Sequence, residues 1–439
     1  MYPNLYYVFK NWFGVEWKAL GFLNSFGLMV AVAFILAAWV LSAELRRKEK
    51  LGLLLPTEEM ITVGKPAGLA DLFLNALIGF LFGYKLLGLL FSKPETIHAQ
   101  EYIFSKQGSI AGGIIFAIVL AGMKWYDKDK QKLKDPERRL VRIWPHDRVG
   151  DIIILGLVFG ILGAKLFDNF EHWDDFVANP LERLFSQSGL TFYGGLILAS
   201  IAICWYAYRK GIKLKHLVDS AAPALMIAYA VGRIGCQVSG DGDWGIYNSA
   251  YSSDSNGKLS LAKTGDYEQA LKKNATYFLE GKVADSSGFS YVTDRTYPSL
   301  EEVPHRDFKG PSFLPQWLFA YSYPQNVNKD GIKMPGNTDE HNRVLPIPVF
   351  PTPLYETIIC SLLFVLMWTI RRNIKTPMLM FGIYLVLNGL ERFTVELIRV
   401  NKTYNFLGMK TTQAEQIAAL LVILGLLIIV IAKKMNKAI

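Results

Sequence analysis

The chain has 439 residues, of which 51% are hydrophobic and 19% charged, and its formal net charge is +9. Apolar and basic residues alternate in blocks, which excludes a soluble enzyme with one core, a disordered chain and a disulfide-stapled secreted domain. The three cysteines, Cys204, Cys236 and Cys360, are odd in number, lack metal-ligand spacing and read as small hydrophobes.

Crossing a hydrocarbon core of ~30 Å takes ~17–25 residues of helix. Nine stretches qualify: 20–43, 67–90, 108–126, 151–168, 190–208, 217–237, 353–370, 377–396 and 414–432. The first is too long for a signal-peptide core and has no basic flank at its start, so it reads as a retained helix. Of the basic residues between spans, 24 fall in 44–66, 124–149, 209–216, 371–376 and the tail after Ala432. Only eight fall in 1–19, 93–107, 169–188 and 397–413. The long segment 239–352 counts little in this rule. The excess places the N-terminus outside and the C-terminus inside. The positive charge then belongs to cytoplasmic loops, and no nucleic-acid partner is expected.

The expected fold is an all-α polytopic membrane protein of about nine transmembrane helices, N-out/C-in, with an external head between helices six and seven. Its segments are 1–66 with the first helix, 67–126 as an extra two-helix repeat copy, 127–245 with the second copy, the head 246–350, and the C-terminal helices in 351–439. The repeat rests on DLFLNALIGFLFGYKL (71–86) beside DIIILGLVFGILGAKL (151–166), and on FSKQGSIAGG (104–113) beside FSQSGLTFYGG (185–195). Ala111 precedes the first Gly-Gly pair and Tyr193 precedes the second. Lys85 and Lys165, near the outer ends of their helices, read as snorkelling cations.

The head is rich in Ser, Asn, Asp, Gly and Lys. A soluble helix is expected over about 266–280, stopped by Gly281. Trp317, Phe319, Tyr321 and Tyr323 read as an interfacial aromatic anchor.

Polar residues on spans carry the chemistry. Tyr229, Arg233 and Gln237 share one face of helix six, followed by the turn SGDGDWG (239–245) with Gly240, Asp241 and Asp243. Arg233 either closes that turn by pairing with an aspartate or grips a phosphate with its planar fork while backbone amides approach. Asn388, Arg392, Glu396 and Arg399 form a stripe on helix eight that must face protein or water. There Arg392 either pairs with Glu396 or joins an anion site at the outer leaflet. PTPLYE (351–356) adds Tyr355 and Glu356 at the outer start of helix seven, where a tyrosine also serves as an interface anchor.

TFYGGL (191–196), GRIGCQVSGDGDWG (232–245), PLYE (353–356) and ERFTVELIRVN (391–401), in that order, resemble the prolipoprotein diacylglyceryl transferases, as does FGLM (26–29) in the first helix. The resemblance covers roughly 20–43, 151–245 and 351–435. It implies transfer of a diacylglyceryl group from phosphatidylglycerol to the lipobox cysteine of prolipoprotein signal peptides. That is the first step of lipoprotein maturation, at the outer leaflet of a bacterial inner membrane. It also implies that Arg233 and Arg392 are the essential arginines. Tyr193 stands where many members have histidine, so the base is open among Asp241, Glu396 and hydroxide. Gly194, Gly195, Gly240, Tyr355, Arg399 and Asn388 are expected to bind substrate. No cofactor and no metal site is expected. The rival reading is a transporter or flippase for an anionic lipid.

Overall fold

The computed structural model describes all residues except 92–101, 103–105, 186–190, 286–287, 292, 294, 402, 407–408 and 438–439. The second stretch of the internal match, 104–113 beside 185–195, lies partly outside the described residues. The chain is mostly helical. Helices α1 (Leu5–Phe13), α2 (Ser25–Lys50), α3 (Leu69–Phe91), α4 (Ile110–Lys130), α5 (Val149–Glu171) and α6 (Phe192–Arg209) precede α7 (Leu214–Ser239). Then come α8 (Asp266–Lys273), α9 (Ala275–Glu280), α10 (Thr352–Ile370), α11 (Leu379–Glu396) and α12 (Gln413–Lys437). Nine of these coincide with the expected spans. Among the described residues seven are long and apolar enough to cross a membrane, namely α2, α3, α4, α5, α7, α10 and α12. Helix α6 has 18 residues, and α11 carries Glu391, Arg392 and Glu396. Helix α1 was not foreseen; Gly14 ends it in the left-handed conformation.

The contacts divide into two compact units. One contains Ser42–Leu217 with Glu16–Phe22. In it α3 packs on α4, and α5 packs on α6. The two helical hairpins are built alike. A side chain at Gly83 would strike the Gly112 carbonyl, and one at Gly163 would strike the Gly194 carbonyl. Ser109 N donates to Tyr84 O at 2.8 Å, and Thr191 N donates to Ala164 O at 3.1 Å, at matching positions. The glycines therefore allow two backbones to cross closely, a small-residue device common between membrane helices. Lys85 does not merely snorkel. Its Nζ donates to Tyr102 O (2.8 Å) and Gln107 O (2.9 Å), closing the α3–α4 connection.

Strands β1 (Thr57–Val63) and β2 (Glu137–Ile143) frame the first hairpin. They pair antiparallel over seven residues, from Thr57 opposite Ile143 to Val63 opposite Glu137. Residues 64–136 thus leave and re-enter the chain at one point. Glu59 on β1 binds Arg148 (2.7 Å) and Lys210 (3.0 Å), so the ribbon is tied to the start of α5 and the end of α6. Those two cations hold the Glu59 carboxyl below its ordinary pKa.

The other unit holds Met1–Val15, Leu23–Leu41 and Val218–Ile439. Ala222, Met226 and Ala230 of α7 bury against Cys360 and Met367 of α10 and Met380 of α11. Asp219 accepts from the backbone of Met378 (2.8 Å) and Phe381 (2.9 Å), capping α11 by satisfying N–H donors that have no partner within the helix. Helix α11 packs on α12 through Gly382, Gly389 and Gly425.

The described residues of 246–350, the segment expected to form the head, share a core that includes Tyr247, Phe278, Tyr323, Ile347 and Val349. The expected soluble helix is present as α8 and α9, broken at Asn274 and stopped by Gly281 at φ 67°. The expected aromatic anchor needs correction. Tyr323 is fully buried against Trp244 with ring centroids 4.9 Å apart, and Tyr321 packs beside it. Only Trp317 of the four is exposed. Composition does not distinguish aromatics that fill a small core from those that face an interface.

The close crossing of α5 and α6 can be tested by stability. Gly163→Ala should destabilise by about 1–3 kcal/mol, the usual penalty for overpacking. Gly122→Ala on α4, where an added Cβ meets nothing within 4 Å, should be neutral or stabilising by up to about 1 kcal/mol. Thermal unfolding in detergent reads both; equal effects would contradict the crossing.

Candidate functional site

The centre of the site is Glu356, in the first turns of α10 and with no exposed side-chain surface. A carboxylate at such a place is costly unless it is paired. Three arginines from two helices and a following loop supply the pairing. Arg233 Nε of α7 lies 3.0 Å from Oε2. Arg392 Nη1 of α11 lies 2.9 Å from Oε1, and Arg399 Nη1, just past α11, lies 3.4 Å from the same oxygen. Tyr229, one turn before Arg233, donates its hydroxyl to Oε1 at 3.1 Å.

A second carboxylate links two of the same forks. Asp243 pairs with Arg233 and, at 2.5 Å, with Arg399 Nη2. Arg392 reaches Glu396 at 3.2 Å, and Asn401 donates to Glu396 at 2.5 Å. Both structural pairings considered from sequence, Arg233 with an aspartate and Arg392 with Glu396, are therefore present. They do not consume the arginines. Arg233 and Arg392 keep 18% and 22% of their side-chain surface exposed, and the carboxylates fix the orientation of their guanidiniums. Such an array of preset donors is suited to a phosphate-bearing ligand.

The turn after α7 is held from the head. Gly242 has φ 95°, and a Cβ there would sit 2.5 Å from Asn328 Nδ2. Asn328 Nδ2 donates to Asp241 O at 2.8 Å, and Arg295 donates to Gly242 O. Tyr323 donates to Gln237 Oε1 at 2.8 Å. On the other side Gly245 N donates to Phe350 O (2.8 Å) and Ile246 N to Ile398 O (2.9 Å). Asp243 is thereby presented to both arginines. Burial acts to raise its pKa, but Arg399 and Arg233 outweigh that and hold it below the ordinary value. Its ion pairs persist below the pH at which a free aspartate protonates, and are lost as pH falls through the lowered pKa. Burial, and then the charge of Asp243, push Asp241 the other way, above the ordinary value.

Of the residues expected at the site, Arg233, Arg392, Arg399 and Glu396 converge with the hub, and Gly240 and Asp241 lie on the adjoining turn. Asn388 is one turn before Arg392 on α11 and half-buried. Tyr355 uses its hydroxyl elsewhere, donating to Leu318 O of the head at 2.7 Å. Gly194 and Gly195 pack against α5 at Gly163 and Gly160, so their structural role is the helix crossing. They and half-buried Tyr193 belong to the other compact unit.

The sequence assigns Glu356 no role, and Asp243 only that of an aspartate that closes the turn on Arg233. The available signal was cost: a carboxylate on an apolar span requires cationic partners. Glu391 was also missed; it is buried beside Arg392, and among the described residues neither of its oxygens accepts a hydrogen bond. Among the described residues Cys236, Asp241 and Asp243 offer ligand atoms within 4.8 Å of one another. Arg233 Nη1 lies 3.5 Å from Cys236 Sγ and also pairs with Asp243.

Residues 130–431 match the family model of prolipoprotein diacylglyceryl transferase; helices α3 and α4 precede almost all of that match. The chain is similar to proteins named phosphatidylglycerol–prolipoprotein diacylglyceryl transferase. It is 26% identical to one from Leptospira interrogans over 279 residues, which is 57% of this chain and 61% of the relative. It is 37% identical to one from Enterococcus faecalis over 100 residues, 22% of this chain and 36% of that protein. It is 22% identical to one from Janthinobacterium over 300 residues, 67% of this chain and 81% of that protein. The chain thus spans about 61% of the length of the Leptospira relative. With its several apolar helices it is a multi-pass membrane protein. The family match covers more than half of it, and the chain belongs to the prolipoprotein diacylglyceryl transferase family.

Proposed function

We propose that the protein transfers the diacylglyceryl group of phosphatidylglycerol to the lipobox cysteine of a prolipoprotein, forming a thioether and releasing glycerol phosphate. The observation that carries this reading is the convergence of Arg233, Arg392 and Arg399 on Glu356 and Asp243 in a member of this family. The names of the relatives support the two substrates. The nine apolar stretches support nine spans, the distribution of Lys and Arg supports an N-out/C-in arrangement with an extracytoplasmic head over 246–350, and the family resemblance supports a site at the outer leaflet of the bacterial inner membrane.

In the proposed step the substrate thiolate attacks the glycerol carbon that bears the phosphate. The S–C bond forms, the C–O bond breaks, and the electron pair leaves with glycerol phosphate. Charge grows on the leaving phosphate, where Arg233 and Arg392 stabilise it and Arg399 binds it. Glu356, Asp243 and Glu396 hold the guanidiniums in place, which removes reorganisation from the barrier. Asp241 takes the thiol proton: among the described residues it forms no ion pair, and its raised pKa makes it a better base than an ordinary aspartate. Tyr193 donates a hydrogen bond to a phosphate or glycerol oxygen. Gly240 lets the turn approach the headgroup closely. Asn388 and Tyr355 flank the lipid, and 67–126 adds stability rather than chemistry.

Incubating the purified protein with phosphatidylglycerol and a lipobox peptide should add the mass of a diacylglyceryl group to the peptide cysteine. Lipid movement between leaflets without that mass gain would favour the flippase reading. Arg233→Ala and Arg392→Ala should each lower transfer by ~100-fold or more, roughly 3–4 kcal/mol of transition-state stabilisation, while membrane insertion persists. Near-normal turnover in either variant removes that arginine from the mechanism.

A pH series separates base from donor. The rate should fall as pH drops through the Asp241 pKa, and Asp241→Asn should abolish that limb. Tyr193→Phe should keep the shape of the profile and lose about 10- to 150-fold in rate, the worth of a hydrogen bond to a charged group; Tyr193→His should be tolerated. Loss of an ionisation in Tyr193→Phe, with complete loss of activity, would make Tyr193 the base.

A further inference from the structure

Residues 308–319 of the head form a loop pinched at its base by one buried side chain. Asn248 is fully buried, and its Nδ2 donates to Phe308 O and to Phe319 O, each at 3.0 Å. Its Oδ1 accepts from Phe308 N at 3.3 Å. Two proline-led turns shape the excursion, with Leu314 N donating to Pro311 O and Leu318 N to Pro315 O, both at 3.1 Å. The loop is therefore built, and yet its tip is apolar and open. Phe313 is 82% exposed, Trp317 47% and Leu314 38%. No charged residue occurs in GPSFLPQWL, 310–318. Single exposed apolar residues are ordinary on a protein surface; three within five positions of a pinned loop call for a partner.

The position of the loop identifies that partner. Leu318 O accepts from the Tyr355 hydroxyl at 2.7 Å. Tyr355 lies in the first turn of α10, a helix apolar enough to cross the membrane from Thr352 to Ile370. With a helical rise of ~1.5 Å per residue, Tyr355 is within ~5 Å of the level at which α10 begins. Phe313 is five residues from Leu318, so the tip cannot lie more than ~17 Å from it. The headgroup zone, ~5–8 Å thick on each side of the hydrocarbon, is within that reach.

We propose that this loop is a membrane hook: Phe313, Leu314 and Trp317 enter the phospholipid interface of the leaflet at which α10 starts. Aromatic and aliphatic side chains at that depth place apolar surface among acyl chains while the Pro-Gln backbone stays in the headgroups. The hook ties the head to the bilayer beside Glu356, the residue after Tyr355. Because the loop is uncharged, attachment needs no anionic lipid. The proposal rests on α10 spanning the membrane and not on the transferase reading.

The test uses the full-length protein in phosphatidylcholine nanodiscs. Leu314→Cys, in a Cys204→Ser background that leaves the buried Cys236 and Cys360, carries an environment-sensitive fluorophore; Lys272→Cys on α8 is the comparison site. A spin label shallow on the acyl chain should quench the probe at 314 by ~twofold or more, as expected at interfacial depth, at low and high salt alike. Phe313→Asp, an exposed position, should reduce that quenching. Water-like emission at 314, or quenching no greater than at 272, overturns the hook. So does a probe that ignores the lipid label and responds instead to added lipobox peptide, which would make the loop a peptide-docking element.

Discussion

One fully buried carboxylate organises the C-terminal part of this molecule. Glu356 has no exposed side-chain surface, yet guanidiniums from α7, α11 and the segment after α11 lie within 3.4 Å of it. Removing a carboxylate from water costs several kcal/mol, and three cations at once offset that cost in a way a single exposed pair does not. The constraint runs both ways. Three arginines brought together would repel one another and splay without the charge between them. Helix order, the glycine contacts of α11 with α12, and the Asp219 cap on α11 all serve to present these side chains at one level.

The head belongs to this arrangement as a scaffold. It fixes the turn that carries Asp241 and Asp243, through Asn328 and Arg295 to backbone carbonyls and through Tyr323 to Gln237. Asp243 can then tie Arg233 to Arg399 although they are far apart in sequence. The two aspartates of the turn experience opposite fields within three residues. Asp243 sits between cations and stays ionised, whereas Asp241 sits beside Asp243 in a buried place and holds a proton more tightly. Divergent environments of this kind are how neighbouring carboxylates come to divide structural and proton-transfer work.

Much of this was legible before the structure, and the boundary follows interaction range. Nine apolar stretches became nine helices, seven of them long and apolar enough to cross a membrane among the described residues, because helix length and hydropathy are local properties of the chain. The stop at Gly281 and the polar stripes of α7 and α11 are also local, set by backbone conformation and helical period. The hub was not legible, since Arg233 and Arg392 each meet Glu356 across more than 30 residues of sequence. The ribbon of Thr57–Val63 with Glu137–Ile143 was missed for the same reason: its strands are short and their pairing spans an entire helical hairpin. Tyr321 and Tyr323 were misplaced because burial in a small head and residence at an interface draw on the same residue types. The Gly-Gly pair was read as a site feature, whereas at Gly194 and Gly195 the structure reveals a backbone crossing.

On the proposed function, Glu356 orders the arginines for catalysis and is not merely their counter-ion. Glu356→Gln keeps the shape and removes the charge. Its single-turnover transfer rate and its phosphatidylglycerol binding should be measured together in nanodiscs. Binding that is retained or tightened, with transfer lowered by ~100-fold or more, is the predicted result. Transfer at the wild-type rate with the glutamine in place would contradict it.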